Sequence, residues 1–220
     1  AFYGIPVYEG EDLNLVSQFR CNGSDGYLNF LDNLLGIRST ANLTFDYDYE
    51  IRLFRSPVKM REALREKNDL NNKSRMIAGY CYEWVTENNP QGDEYDIILE
   101  DGFRAKWNFS NSLFAIAPDS FDQVGCIHTT QGLEFDYCGI IIGQDLRYED
   151  GQVITDPSKE AMSDKSSGIR SCKDKVLADK LIRNTYKTLM SRGQKGCYLY
   201  CEDKPLLEYI SRMLGIDITD

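Results

Sequence analysis

The sequence predicts an α/β sandwich with a largely parallel central sheet and inserted β-hairpins, on three observations. Apolar stretches of strand character alternate with stretches of helical periodicity along the chain. One of them, "YCGIIIG" (137–143), is almost wholly apolar, which suits a strand covered on both faces. Two Asp-Gly pairs, Asp101-Gly102 and Asp150-Gly151, interrupt the alternation as hairpin turns.

"LNLVSQFRC" (13–21) reads as a first strand, and Tyr27, Phe30, Leu31, Leu34 and Leu35 behind it fall on one helix face, completing a βα unit. "YEIRLF" (49–54) alternates as a strand. Ser56 before Pro57 is an N-cap with proline in the first turn, which starts a helix to about Asn68. A short strand follows at 75–80 and a hairpin over 94–108. "VGCIH" and "YCGIIIG" are two more strands, and 146–155 is a second hairpin. Residues 156–173 are polar and rich in turn formers, which predicts a mobile loop. A long helix from about Lys173 to Ser191 has Ala178, Leu181, Ile182, Thr185 and Leu189 as its inward stripe. After a strand at 196–201, Asp203 with Pro205 opens a last helix whose Leu206, Tyr209, Ile210, Met213 and Leu214 share a face.

At 220 residues and 42% hydrophobic composition the chain is expected to form a single globular unit. No apolar run approaches the roughly 20 residues that cross a bilayer, and no leader-like segment opens the chain, so the expectation is a soluble, cytoplasmic protein without membrane contact. It begins at Ala1 without methionine, which suggests excision from a longer protein. The seven cysteines are scattered, with no CxxC pair for zinc and no compact disulfide framework, and read as small buried hydrophobes. A net charge of -10 argues against a nucleic-acid binder that uses its whole surface. Locally the balance reverses: residues 51–75 hold eight Lys or Arg against three acids, which is either a solvated helix face or a basic patch.

Polar residues in "GCIHTTQGLEFDYCGIIIG" (125–143) break an apolar run, and a buried strand has no use for them. With "QFRCNGSDGY" (18–27) and "NTYKTLMSRGQKGCYLY" (184–200) this makes three polar clusters, expected at the carboxyl ends of the strands, where ligands of such sheets bind. In this order the clusters resemble motifs V, IV and VI of superfamily 1 DNA and RNA helicases, with 18–27 as motif IV, 128–136 as motif V and 184–200 as motif VI. Cys21 stands where that pattern has serine, and Gly193 where it has alanine. More closely, Arg75 through Trp84, the "LRYEDG" hairpin and the "IRNTYKTLMSRG" helix are similar to a family of predicted P-loop helicases related to the Schlafen helicase-like domain. The resemblance covers nearly the whole chain.

The resemblance implies a RecA-like three-layer sandwich spanning residues 1–220, the C-terminal of two motor halves, with a hairpin and loop insertion at about 146–173. It implies ATP and Mg2+, bound mainly by an upstream P-loop domain, and single-stranded DNA or RNA as partner. Arg20 and Arg192 match the two arginines that reach the γ-phosphate; a planar, permanently charged guanidinium suits the charge that spreads over a transferred phosphoryl group. Gln18, Gly132 and Glu134 would border the nucleotide, Glu134 accepting from the ribose and Gly132 allowing close backbone approach. His128, Thr129, Thr130 and Gln131 would face the single strand. Each has a plainer reading: a surface ion pair for Arg20, a helix C-terminal cation for Arg192, a helix N-terminal acid for Glu134 and a hydrogen-bonded strand end for His128. Tyr80, Tyr82, Trp84 and Trp107 would either stack on bases or pack the core.

The P-loop pattern GxxxxGK[ST] is absent, since Lys73-Ser74, Lys165-Ser166 and Lys187-Thr188 lack the preceding glycine. The chain alone is therefore expected neither to hydrolyse ATP nor to unwind. Two alternatives stay open: a non-catalytic interaction module of helicase descent, and a metal-dependent nuclease using Glu134, Asp136 and Asp145.

Overall fold

The computed structural model describes residues 25–41, 49–89, 92–108, 114, 120–164 and 167–220; the predicted strand at 13–21 and the candidates Gln18 and Arg20 lie outside them. The elements are α1 (Asp25–Leu34), β1 (Glu50–Phe54), α2 (Pro57–Asn71), β2 (Ser74–Ala78), β3 (Ile97–Ile98), β4 (Arg104–Ala105), β5 (Val124–Gly125) and β6 (Phe135–Ile142), then β7 (Leu146–Glu149), β8 (Gln152–Thr155), α3 (Lys175–Met190), β9 (Gly193–Cys201), α4 (Lys204–Leu214) and β10 (Ile218–Thr219). Six strands form one parallel sheet in the order β10-β1-β9-β6-β2-β5, and β3–β4 and β7–β8 are separate antiparallel hairpins.

Three layers result, as in a RecA-like sandwich. The apolar stripes of α1, α3 and α4 pack with Ile140, Ile142, Cys197 and Leu199 on one face of the sheet. On the other face Met60 and Leu64 of α2 pack with Met76, Ile141, Tyr198 and the β3–β4 hairpin. Every residue of β2 is buried, and only Tyr137 of β6 is partly open, as strands covered on both sides require. Helix starts follow the local chemistry: Ser56 Oγ accepts from the Lys59 N–H at 3.3 Å with Pro57 behind it, and Asp203 accepts from the Leu206 N–H at 2.8 Å. Each such cap stabilises its helix by about 1 kcal/mol. Asp150 and Gly151 carry φ of 50° and 83°, the left-handed pair of a tight hairpin turn.

The structure departs from the sequence reading in three places. Leu181 is 39% exposed, and Tyr186 takes its place in the inward stripe of α3. The strand expected over 124–128 ends at Gly125, because Thr129 Oγ1 accepts the Cys126 N–H at 2.7 Å and turns the chain. The segment expected as a mobile loop is, over 156–164, a strap tied to the body. Ala161 N–H donates to the Tyr80 carbonyl at 2.7 Å, and the Glu83 carboxylate accepts from Met162 N–H at 2.5 Å and Ser163 N–H at 2.9 Å. Of the described cysteines Cys126, Cys138, Cys197 and Cys201 are buried, and Cys81 and Cys172 partly so. Among the described residues no helix is long and apolar enough to cross a membrane.

Candidate functional site

Residues 126–134 leave the carboxyl end of β5 and reach the amino end of β6, so this one polar turn runs between opposite edges of the sheet. Local hydrogen bonds fix it. Thr130 Oγ1 donates to the Cys126 carbonyl at 2.9 Å, the His128 N–H approaches Cys126 Sγ at 3.3 Å, and Gly132 closes the turn with φ of 78°. His128, Gln131 and Glu134 are exposed, and Thr129 is partly so. Thr130 is fully buried. Its hydroxyl is engaged by the turn's own backbone, so it holds the turn in shape and does not face outward as expected.

At the carboxyl edge His128 and Thr129 open onto a cleft of 640 Å³ whose other walls are Tyr80, Trp84 and Trp107. Trp107 stands edge-on to Tyr80 (centroids 5.4 Å apart, 81°) and to Trp84 (6.4 Å, 77°), and Tyr80 lies 6.0 Å from the His128 ring. Tyr80 and Trp107 are thus both core and cleft wall. Tyr82 is core alone, its hydroxyl donating to Glu202 at 2.6 Å. Glu87, Asn108, Ser163 and Asp164, with Cys126, complete the lining, in which the described residues include no Lys or Arg. Ser163 and Asp164 come from the strap, and Ser163 Oγ accepts the Trp84 N–H at 3.1 Å. None of these four was picked out from the sequence; their polar side chains carry no periodic signal.

Glu134 and Arg192 stand at the other edge. Phe135 pairs with Gly193 across β6 and β9, so the two residues that precede them are neighbours at the amino ends of adjacent strands. This corrects the expected placement of the 184–200 cluster at a carboxyl end: a helix followed by a strand, α3 then β9, delivers its last residues to the strand's amino end. Arg192 is 4% exposed, and its Nη1 donates to the Thr130 carbonyl at 3.2 Å. The guanidinium therefore lies against the 126–134 turn, inside the protein. Two tyrosines that sequence reasoning missed hold the end of α3: Tyr27 OH donates to the Met190 carbonyl at 3.0 Å, and Tyr49 OH lies 3.3 Å from that oxygen and 3.2 Å from the Gly193 carbonyl.

Gly193 itself is required. A Cβ there would sit 2.1 Å from the Gly196 carbonyl oxygen and 3.3 Å from the Cys138 nitrogen. The register explains why: Phe135 opposes Gly193 while Tyr137 opposes Gly196, so β9 carries one extra residue as a bulge beside Arg192.

The nuclease alternative does not survive. Glu134 and Asp136 flank the start of β6 and Asp145 follows its end, roughly 25 Å away at the rise of an eight-residue strand. Asp136 is held by Lys195 at 2.7 Å and Asn71 at 2.8 Å. Asp145 is buried, accepting from Tyr186 OH at 2.5 Å, and the Glu160 carboxyl of the strap stands close enough to perturb it. Burial, then the Asp145 carboxylate, pushes the Glu160 carboxyl up to about 9, and burial raises Asp145 as well.

A three-layer sandwich around a parallel sheet, whose polar turn joins an aromatic cleft to an arginine at the start of the strand beside β6, defines an α/β domain of the RecA-like kind. Residues 2–203 match the Schlafen group 3 DNA/RNA helicase domain, and the chain belongs to that family. It is also 25% identical to an uncharacterised protein of Saccharomyces cerevisiae, YPL245W, over 96% of this chain; the chain spans half the length of that relative. No solved structure matches.

Proposed function

We propose that the chain is the second motor domain of an ATP-dependent superfamily 1 helicase or translocase, acting with a P-loop domain of the same protein on single-stranded DNA or RNA. One observation carries this reading: a single turn lines the aromatic cleft with His128 and Thr129 and gives its Thr130 carbonyl to Arg192 at 3.2 Å. Its two ends serve two ligands. On the cleft side, bases stack on Tyr80, Trp84 and Trp107, and His128, Thr129 and Gln131 make polar contacts to the strand. On the other side, Arg192 and Glu134, with Gln18 and Arg20, border a nucleoside triphosphate whose phosphates and Mg2+ the P-loop domain holds. Glu134 is exposed and free to accept from a ribose hydroxyl. Arg192 must leave the Thr130 carbonyl to reach a phosphate, which ties its action to closure of the two domains.

Single-strand-stimulated ATP hydrolysis by the full-length protein tests the reading. Arg192→Ala is expected to lower turnover by about a thousandfold or more. Turnover that is unchanged by the substitution refutes the role of Arg192. The burial of Arg192 also suits a second reading, a non-catalytic module of helicase descent, for which the wild-type protein shows no stimulated hydrolysis at all.

A further inference from the structure

The basic stretch of α2 has no part in the reading above. Two of its arginines, Arg61 and Arg65, meet Arg104 of β4 around a second cleft of 520 Å³. All three guanidinium groups lie over aromatic rings: Arg61 is 4.6 Å from the Phe103 centroid, Arg65 4.4 Å from Phe121 and Arg104 6.0 Å from Tyr95. Stacking occupies the face of a guanidinium and leaves its in-plane N–H groups as donors. Arg61 gives one of these to the Arg104 carbonyl at 3.2 Å. Two acids also line the cleft, but Asp122 is paired with Arg65 at 2.5 Å and Glu62 with Lys59 at 3.3 Å. Arg61 and Arg104 make no salt bridge among the described residues. Burial, offset by Asp122 and reinforced by Arg65, lowers the Arg61 pKa, so an anion in this cleft would relieve two cations held close together.

The two clefts share the β3–β4 hairpin. Arg104 lines one and Trp107, three residues on, lines the other, a separation of roughly 10 Å along an extended chain. Their linings divide the chemistry of a nucleotide between them. The aromatic cleft has flat apolar walls and the carboxylates of Glu87 and Asp164, which suit a base and repel a phosphate. The other cleft has guanidinium groups, which bind phosphate oxygens in pairs.

We propose that Arg61, Arg65 and Arg104 form a phosphodiester site that holds the backbone of the single strand whose base occupies the aromatic cleft. The proposal rests on the single-strand reading of the domain and adds a contact surface outside the motif residues.

The test is fluorescence anisotropy of a labelled single-stranded oligonucleotide titrated with the full-length protein between 50 and 200 mM salt, roughly the range over which phosphate contacts show themselves. Losing two phosphate contacts in the double variant Arg61→Gln, Arg104→Gln flattens the slope of log affinity against log salt by about 1.4 and weakens binding about 25-fold at 0.1 M salt. Lysine at both positions keeps the charge and restores the slope, which separates a lost phosphate contact from a damaged fold. Trp84→Ala weakens binding without changing the slope, and its effect disappears on an abasic strand. An unchanged slope in the glutamine variant, with strand binding intact, overturns the phosphodiester site alone. A wild-type protein that binds no single strand at any salt overturns the single-strand reading, and this site with it.

Discussion

Replacing Gly193 with alanine puts a methyl group where the backbone leaves no room. The new carbon would lie 2.1 Å from the Gly196 carbonyl oxygen, against about 3.3 Å for the closest tolerated carbon–oxygen contact, so the bulge must open by roughly 1.2 Å. The neighbour is backbone, which cannot rotate away as a side chain would. Overpacking of this kind costs about 1–3 kcal/mol, and one lost ladder hydrogen bond adds about 1 kcal/mol, giving about 2–4 kcal/mol in all. For a domain of this size each kcal/mol lowers Tm by about 2–4 °C, so calorimetry should show a fall of about 4–16 °C. Gly132→Ala is the control. Nothing lies within 4 Å of its added carbon, and its φ of 78° alone makes it costly, by about 1–2 kcal/mol. A Gly193→Ala protein that melts within about 1 °C of wild type would refute the account of the bulge. Because Arg192 is the preceding residue, the same substitution is also expected to depress stimulated ATP hydrolysis.

Glu160→Gln addresses the buried carboxyl pair. The Glu160 carboxyl is raised in the folded protein to about 9, by burial first and then by Asp145 and Asp164, with Arg170 opposing. Its contribution to stability is therefore fully present below the unfolded value of about 4.5 and is lost as pH rises towards 9. Urea midpoints measured from pH 6 to 9 should fall more steeply for wild type than for the glutamine variant, by at most about 1.4 kcal/mol per pH unit, and parallel curves would refute the raised Glu160 carboxyl. Arg75, fully buried in β2, donates to Asn68 at 2.8 Å, Asn72 at 2.9 Å and Ser120 at 3.1 Å. Arg75→Met leaves those acceptors without their donor and should cost about 3 kcal/mol or more, read by the same urea midpoints; a loss below about 1 kcal/mol would show the network to be dispensable.

What was legible in the sequence was local. Ser56-Pro57, Asp203-Pro205 and Asp150-Gly151 act within four residues of themselves, and each marks the boundary it was read to mark. The stripe of α1 and the apolar run of β6 are likewise complete in their own segments. What failed depended on distant partners. Polar composition at 156–164 is the same whether the backbone bonds to water or to Glu83, and Glu83 is 79 residues from Met162 in the chain. Leu181 has the spacing of an inward residue, but the inward direction of α3 is set by where the sheet lies, and there Tyr186 OH reaches Asp145 and the Gly143 N–H. Thr129 and Thr130 are alike as letters. The turn then separates them, one at the cleft and one wholly buried. Arg192 was misplaced for a simpler reason: its cluster precedes a strand, whereas the 126–134 turn follows one.

That asymmetry bears on how a motor of the proposed kind would couple its ligands. Thr129 Oγ1 links the Cys126 N–H, at 2.7 Å, to Asn108 of the cleft, at 3.2 Å, while the adjacent Thr130 offers its carbonyl to Arg192. In the proposed reading a strand entering the cleft would press on the first residue, and a nucleotide recruiting Arg192 would remove the partner of the second. Two sites that share one short, hydrogen-bonded turn cannot move it independently. Linkage then requires the effect to be mutual: a strand that favours release of Arg192 is bound more tightly once nucleotide has drawn that arginine out.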